Sequence, residues 1–197
     1  MKSTDSPLFD SFSSAVKSGD LGKAYSVVSS CDSTDPAGLY LRGLMRCAGC
    51  GTKADVSAGI IDLETASDAG FAPASNVSGD IRSGADGITD ILKLRIRAEA
   101  CDLDACREIF PLYDTGKNAD GSRAPVRKDH AEAVRLYMPC AEAGDHVAQE
   151  TIGYMYLMGF YKSNMGMASA VGLTLLVLVL AVNLIQLVLM GFFKKEA

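Results

Sequence analysis

The chain has 197 residues, with 24 acidic against 19 basic side chains, and lacks Trp. A net charge of −5 and a pI near 5.0 argue against nucleic acid as a partner, for which a basic stripe is expected. The length suits one helical domain with an appendage, and the positive mean hydropathy of +0.15 comes from the C-terminal segment.

Residues 1–7 are polar. They lack the apolar core of a signal peptide, and Asp5 and Asp10 depart from the acid-poor character of a transit peptide, so no cleaved N-terminal address is expected. In residues 8–18, Leu8, Phe9, Phe12, Ala15 and Val16 predict a short helix capping the first hairpin's open face. Residues 20–30 predict the next helix, with Leu21, Ala24, Tyr25 and Val28 inward, followed by a turn and a helix over 37–48. A loop at 49–54 leads to a second hairpin, 56–69 and 74–82. Pro73 lies near the start of its second helix, where a missing N–H costs little. Residues 88–100 and 103–113 predict the third hairpin, with Pro111 expected to kink or shorten its last helix. The long polar connection at 115–128 carries Lys117, Arg123, Arg127 and Lys128. It is expected to be a solvated insertion, with a docking loop for an acidic partner as the functional alternative.

The fourth hairpin is the clearest. Ala133, Leu136, Tyr137, Cys140 and Ala141 form one helical face, with Pro139 expected to bend the helix. Gly144 breaks it and Asp145 caps the next helix. That helix is expected to place Val147, Ala148, Ile152, Tyr156 and Leu157 on its apolar side. The spacing Gly144, Ala148, Gly153, Gly159 recurs upstream. Gly70, Ala74 and Gly79 keep the first two intervals, with Gly84 one residue short of the third. Cys101, Ala105, Phe110 and Gly116 keep all three, as do Thr34, Gly38, Gly43 and Gly49. Four copies 31 to 43 residues apart imply a helical repeat whose small residues sit where helix backbones meet.

The stretch AEAVRLYMPCAEAGDHVAQETIGYMYLMG resembles the Sel-like repeat family, relatives of the tetratricopeptide repeat, through Ala133, Tyr137, Ala141, Gly144, Ala148, Gly153, Tyr156 and Gly159. Ile152 stands for the family's Leu, and Cys140 replaces the first of its paired alanines. The copy around Gly70, Ala74 and Gly79 is a fair match; the first, with Gly43, and the third are degenerate. The resemblance covers residues 20–161 and implies an all-α solenoid of about four Sel-like hairpins with a concave face for protein partners. The family has no common catalytic residues, so none is carried over.

Residues 163–170 read as a small-residue hinge. Residues 171–193 then carry no charge and only Thr174, Asn183 and Gln186 as polar residues. At about 1.5 Å per residue they are long enough to cross a bilayer's hydrocarbon core. A single transmembrane helix with a basic tip at 194–197 is therefore expected, a tail-anchored layout. Asn183 and Gln186 share a face with Val179 and Met190, and amides in hydrocarbon seek partners. Gly166 and Ala170 would allow a close helix crossing. This predicts a protein interface in the membrane.

No residue constellation points to an enzyme, a cofactor or a metal. Cys47 and Cys50 have redox or half-zinc-site spacing, but a second such pair is lacking and packing is the expected role. Some Sel-like proteins staple each hairpin with regularly spaced disulfides. Here Cys31, Cys101, Cys106 and Cys140 occupy no common register, so free thiols are expected. His130 and His146 have no Ser or Cys beside them by spacing.

The reading is a non-catalytic accessory or scaffold subunit of a multi-subunit membrane complex, contacting other subunits and the lipid bilayer, with no nucleic acid or small-molecule substrate. The topology favours a mitochondrial inner membrane (a respiratory chain or ATP synthase) with the solenoid, residues 20–162, in the intermembrane space; a thylakoid or another organelle membrane is the alternative location. The alternative function is a tail-anchored adaptor recruiting soluble proteins. A redox protein using Cys47 and Cys50 is the third.

Overall fold

The structure is a computed structural model and describes residues 7–32 and 34–157, with Leu176, Val179 and Gln186 as isolated positions. It divides into two units, residues 1–149 and 150–197. The first contains α1 (Pro7–Lys17), α2 (Leu21–Ser29), α3 (Pro36–Ala48), α4 (Val56–Asp68), α5 (Ala72–Arg82), α6 (Ile88–Glu99), α7 (Leu103–Thr115) and α8 (His130–Glu142). A further helical stretch, α9, is described over 146–157. Among the described residues there is no strand, only an isolated antiparallel bridge between Lys117 and Arg123.

Aspartates start most of these helices. Asp20, Asp35, Asp55, Asp102 and Asp129 accept from Lys23, Ala37, Ala58, Asp104 and Glu132 backbone N–H groups, each satisfying an otherwise orphaned donor. One turn recurs at hairpin bends. After α4, Gly70 N–H donates to Ser67 O and Phe71 N–H to Ala66 O. Cys101 and Asp102 donate likewise to Ala98 and Arg97, and Gly144 and Asp145 to Ala141 and Cys140. This is a Schellman bend, which needs a left-handed residue at its corner. Gly70 and Gly144 supply it at φ +92°, and Cys101 takes the same place at φ +58°. Asp102 and Asp145 then serve as the caps of the following helices, so bend and restart share one residue. Gly70 and Gly144 have no neighbouring atom within 4 Å of where a Cβ would sit. Their glycine is a conformational need, whereas their spacing suggested backbone contact.

Helix α3 is the centre of the packing. Leu39, Tyr40, Leu41, Leu44 and Met45 are all buried, and so are Gly38 and Gly43. It crosses α4 closely: a Cβ on Gly43 would lie 2.9 Å from Gly59 O, and one on Gly59 would lie 2.8 Å from Gly43 O and run into Cys47 Sγ. Gly43 is thus a true contact position, and Gly59, outside the repeat spacing, is its partner. The apolar core joins α1 to α6, with Phe12, Ala24, Val28, Leu63, Ala66, Ala74, Val77, Leu92 and Ile96 around α3. Helix α1 buries Phe9, Phe12, Ala15 and Val16 as expected, yet it also reaches α6, where Ser13 Oγ donates to Ala100 O. It bridges to the third hairpin as well as lying against the first.

Two local expectations need adjustment. Pro111 does not end α7, which runs on to Thr115. The connection at 116–128 is solvated as expected, with Lys117, Asp120, Ser122, Arg123 and Lys128 exposed, but it is anchored rather than loose. Asn118 N–H donates to Ser122 O at 2.8 Å, Ala124 N–H donates to Gly116 O at 3.0 Å, and Ala124 and Val126 are buried. Arg127, expected to be available for docking, donates Nε to Asp80 at 3.0 Å and Nη2 to Asn76 O at 3.3 Å. A Cβ on Gly79 would lie 2.6 Å from Arg127 Nη2, so that glycine makes room for the guanidinium.

Along α9, Ala148 and Ile152 are buried, while Val147, Tyr156 and Leu157 are exposed. The apolar stripe is therefore narrower than the spacing suggested. Among the described residues no helix is long and apolar enough to cross a membrane. The span expected at 171–193 lies outside the described residues, except for Leu176, Val179 and Gln186.

Candidate functional site

The apolar core stops at a buried polar seam between α3 and α6 on one side and α7 and α8 on the other. Arg95 is fully buried. Its Nε donates to Tyr40 Oη at 2.7 Å, Nη1 donates to Tyr113 Oη, and Nη2 donates to Glu132. The guanidinium carbon lies 5.7 Å from the Tyr40 ring centre and 5.2 Å from that of Tyr113. Tyr40 donates onward to Glu99. Arg135, at the edge, donates Nε to Glu132 at 2.9 Å and Nη1 to Glu99 at 3.1 Å. Two guanidiniums face two carboxylates, so the seam is neutral overall.

Burial alone would push the Glu132 carboxyl up; Arg95, then Arg135, outweigh it and hold it at about 2. Burial likewise works against the Arg95 charge, but the oxygens of Tyr113, Tyr40, Glu132 and Glu99 keep its pKa well above the ordinary arginine value. Burial pushes the Tyr40 phenol well up, leaving it a neutral donor. With every buried side-chain nitrogen and oxygen of the described residues partnered, this arrangement locks helices together. The seam was readable in part: Leu92, Arg95, Ile96 and Glu99 fall on one helical stripe, which places charge at core positions.

A second cluster joins the first hairpin to the second. Asp62, on α4, accepts from Arg42 Nε at 3.0 Å and Nη2 at 2.7 Å, a two-pronged pair, and from Arg46 Nη1 at 2.8 Å. Arg46 Nε donates to Tyr25 Oη at 3.2 Å. That bond, and smaller contributions from the Ser29 and Thr52 hydroxyls, holds the Tyr25 phenol below the usual tyrosine range. These residues border a cavity of about 400 Å³ lined by Tyr25, Arg46, Thr52, Lys53, Ala54, Asp55 and Ala58. Its floor is a fixed loop. Cys50 N–H donates to Met45 O at 3.0 Å, Asp55 N–H donates to Arg46 O at 2.9 Å, and a side chain on Gly51 would collide with Leu21 O.

The six cysteines are free thiols. Cys47 Sγ lies 3.8 Å from Val56 O, and burial, then Asp62 and Asp55, push its thiol up to about 11. Burial also raises Cys50. Neither has the lowered pKa of a redox thiolate. Spacing did not reveal that Cys106 Sγ lies 3.6 Å from Ala98 O, where burial, then Cys140 across from α8, raise its thiol. His130 Nδ1 meets Asp114 Oδ1 at 2.7 Å at the surface, and His146 is exposed.

Of the predicted packing positions, Ala74, Ala133, Tyr137 and Ala148 are buried, and Tyr137 stacks at 4.7 Å on Phe110. Ala141 is half-buried, its carbonyl accepting from Gln149 Nε2 at 2.9 Å. Gly153 and Tyr156 are exposed. Of the predicted membrane interface, Val179 and Gln186 are helical and exposed, whereas Gly166, Ala170, Asn183 and Met190 lie outside the described residues, as does Gly159.

No family model matches the chain, and no curated protein matches it. Among solved structures, a Sel1 repeat protein from Oxalobacter formigenes is similar at 22% identity and a TM-score of 0.36, over 79% of this chain and 61% of that one. A protective antigen of uropathogenic Escherichia coli, described as displaying an SLR fold, is similar at 23% identity and a TM-score of 0.35, over 76% of this chain and 33% of that one. The chain thus spans less than two thirds of either. Likeness at this level assigns no partner or ligand.

Proposed function

We propose that the chain is a non-catalytic helical-repeat scaffold that works by surface contact, as an accessory subunit of a multi-subunit membrane complex. The observation that carries the scaffold reading is the repeated Schellman bend at Gly70, Cys101 and Gly144, in the register of the Sel-like motif. Stacked hairpins of this kind expose long surfaces built from successive units. The membrane part is supported by the uncharged apolar sequence at 171–193, and its interface by the amides Asn183 and Gln186. Val179, Met190, Gly166 and Ala170 would complete that interface. Lys194 and Lys195 at one end support the mitochondrial inner membrane, with the repeats in the intermembrane space.

Purification of the full chain from its native membrane in mild detergent is the test. Fixed-stoichiometry partners, cross-linked through a photoreactive residue at position 183, are the expected result. A detergent-solubilised monomer without partners overturns the subunit reading. The second reading, an adaptor recruiting soluble proteins, is favoured by Val56 and Ile61, 47% and 63% exposed on α4. It predicts that an unrelated anchor in place of 171–193 preserves recruitment.

A further inference from the structure

We infer that the cavity beside Tyr25 and Arg46 receives an acidic side chain of a partner protein, flanked there by apolar residues. This rests on the scaffold reading and names a contact within it. The charge arrangement comes first. Arg42 alone occupies both oxygens of Asp62, so Arg46, the second guanidinium on that carboxylate, leaves a surplus positive charge. Its Nε is directed to Tyr25 and its Nη1 to Asp62, which leaves Nη2 with no bond to the described residues. Lys53 lines the same cavity, and Asp55 is already engaged as the cap of α4 through Ala58 N–H. Arg42, Arg46 and Lys53 against Asp55 and Asp62 make a local balance of +1 in a chain whose total is −5.

The donors also converge. Arg46 Nε donates to the Tyr25 oxygen at 3.2 Å and is the main cause of its lowered pKa, so this corner favours negative charge on oxygen. A carboxylate beside it would meet Arg46 Nη2, the Lys53 ammonium and the Thr52 hydroxyl. Ala54 and Ala58 form the apolar wall, and Ile61, one turn on from Ala58 along α4, is 63% exposed. A neighbouring aliphatic residue of the partner therefore has a surface to cover. The floor is rigid where Gly51 seats against Leu21, so binding orders little new backbone.

The test uses the ¹⁵N-labelled full chain titrated with N-acetyl-Leu-Glu-Leu-amide and with its Gln counterpart, followed by the amide shifts of Thr52, Lys53, Ala54 and Asp55. The Glu peptide is expected to saturate these shifts with a Kd on the order of 1 mM, and the Gln peptide to bind at least about tenfold more weakly. Lys53 is exposed and carries no contact that the fold depends on, so Lys53→Glu should leave the melting temperature unchanged and abolish the response to the Glu peptide. Equal binding of the two peptides, an unchanged response in Lys53→Glu, or no shift at saturating solubility overturns the inference. Co-purification of partners reads the whole surface, so failure of the titration leaves the scaffold reading standing.

Discussion

Glu132→Gln tests whether the seam between α6 and α8 is held by charge. The partners of Glu132 hold its carboxyl at about 2, against an ordinary 4.5. At about 1.4 kcal/mol per pKa unit, that difference corresponds to roughly 3 kcal/mol of stability. The folded-state value is depressed, so the stabilisation is fully present above pH 4.5 and is lost as pH falls toward 2. The amide keeps the shape but removes the charge facing Arg95 and Arg135, leaving two guanidiniums against Glu99 alone. Urea unfolding of the full chain, followed by far-UV circular dichroism, should show a midpoint about 1.5 M lower at pH 7, for a slope of about 2 kcal/mol per M. The gap between wild type and variant should narrow steadily from pH 4.5 to pH 2.5. A gap that stays constant over that range, or one below about 0.3 M at pH 7, would refute the electrostatic account and leave only side-chain packing at this position.

Gly59→Ala should cost about 2 kcal/mol or more, because its methyl meets Cys47 Sγ and the Gly43 backbone. Gly144→Ala, in open space but at φ +92°, should cost about 1 kcal/mol, and the two thermal midpoints should rank accordingly. Arg127→Ala leaves the buried Asp80 without its cation; a loss of about 1 to 3 kcal/mol and faster hydrogen exchange across 117–126 are expected. Unchanged exchange there would mean that the loop is held by Ala124 and Val126 alone. Thiol labelling of the native chain should reach Cys31 and Cys101 first, with Cys47, Cys106 and Cys140 reacting only on unfolding. Native-state labelling of Cys47 would revive a redox role for it.

The helices were legible because each signal is local. Aspartate caps, the bends at Gly70 and Gly144, and the apolar spacing in residues 8–18 all act within a few residues, so the order of elements follows from them. The loop at 116–128 was rightly read as polar and largely exposed, but its anchors were missed. Its Arg127 finds Asp80 47 residues away, and no local pattern announces that pair. The cavity was equally hidden, since Tyr25, Arg46 and Thr52 come from α2, α3 and the loop after α3.

The amino-acid sequence by itself determined that this is a chain of paired helices, where they bend, and that its bends recur, because capping and periodicity are properties of neighbours along the backbone. Only the tertiary structure decided that α3 is the hub, that Gly43 needs Gly59, and that Arg95 can keep its charge while fully buried. Those outcomes depend on which distant side chains share a space, and a buried charge is tolerable only once its partners from α3, α7 and α8 have arrived.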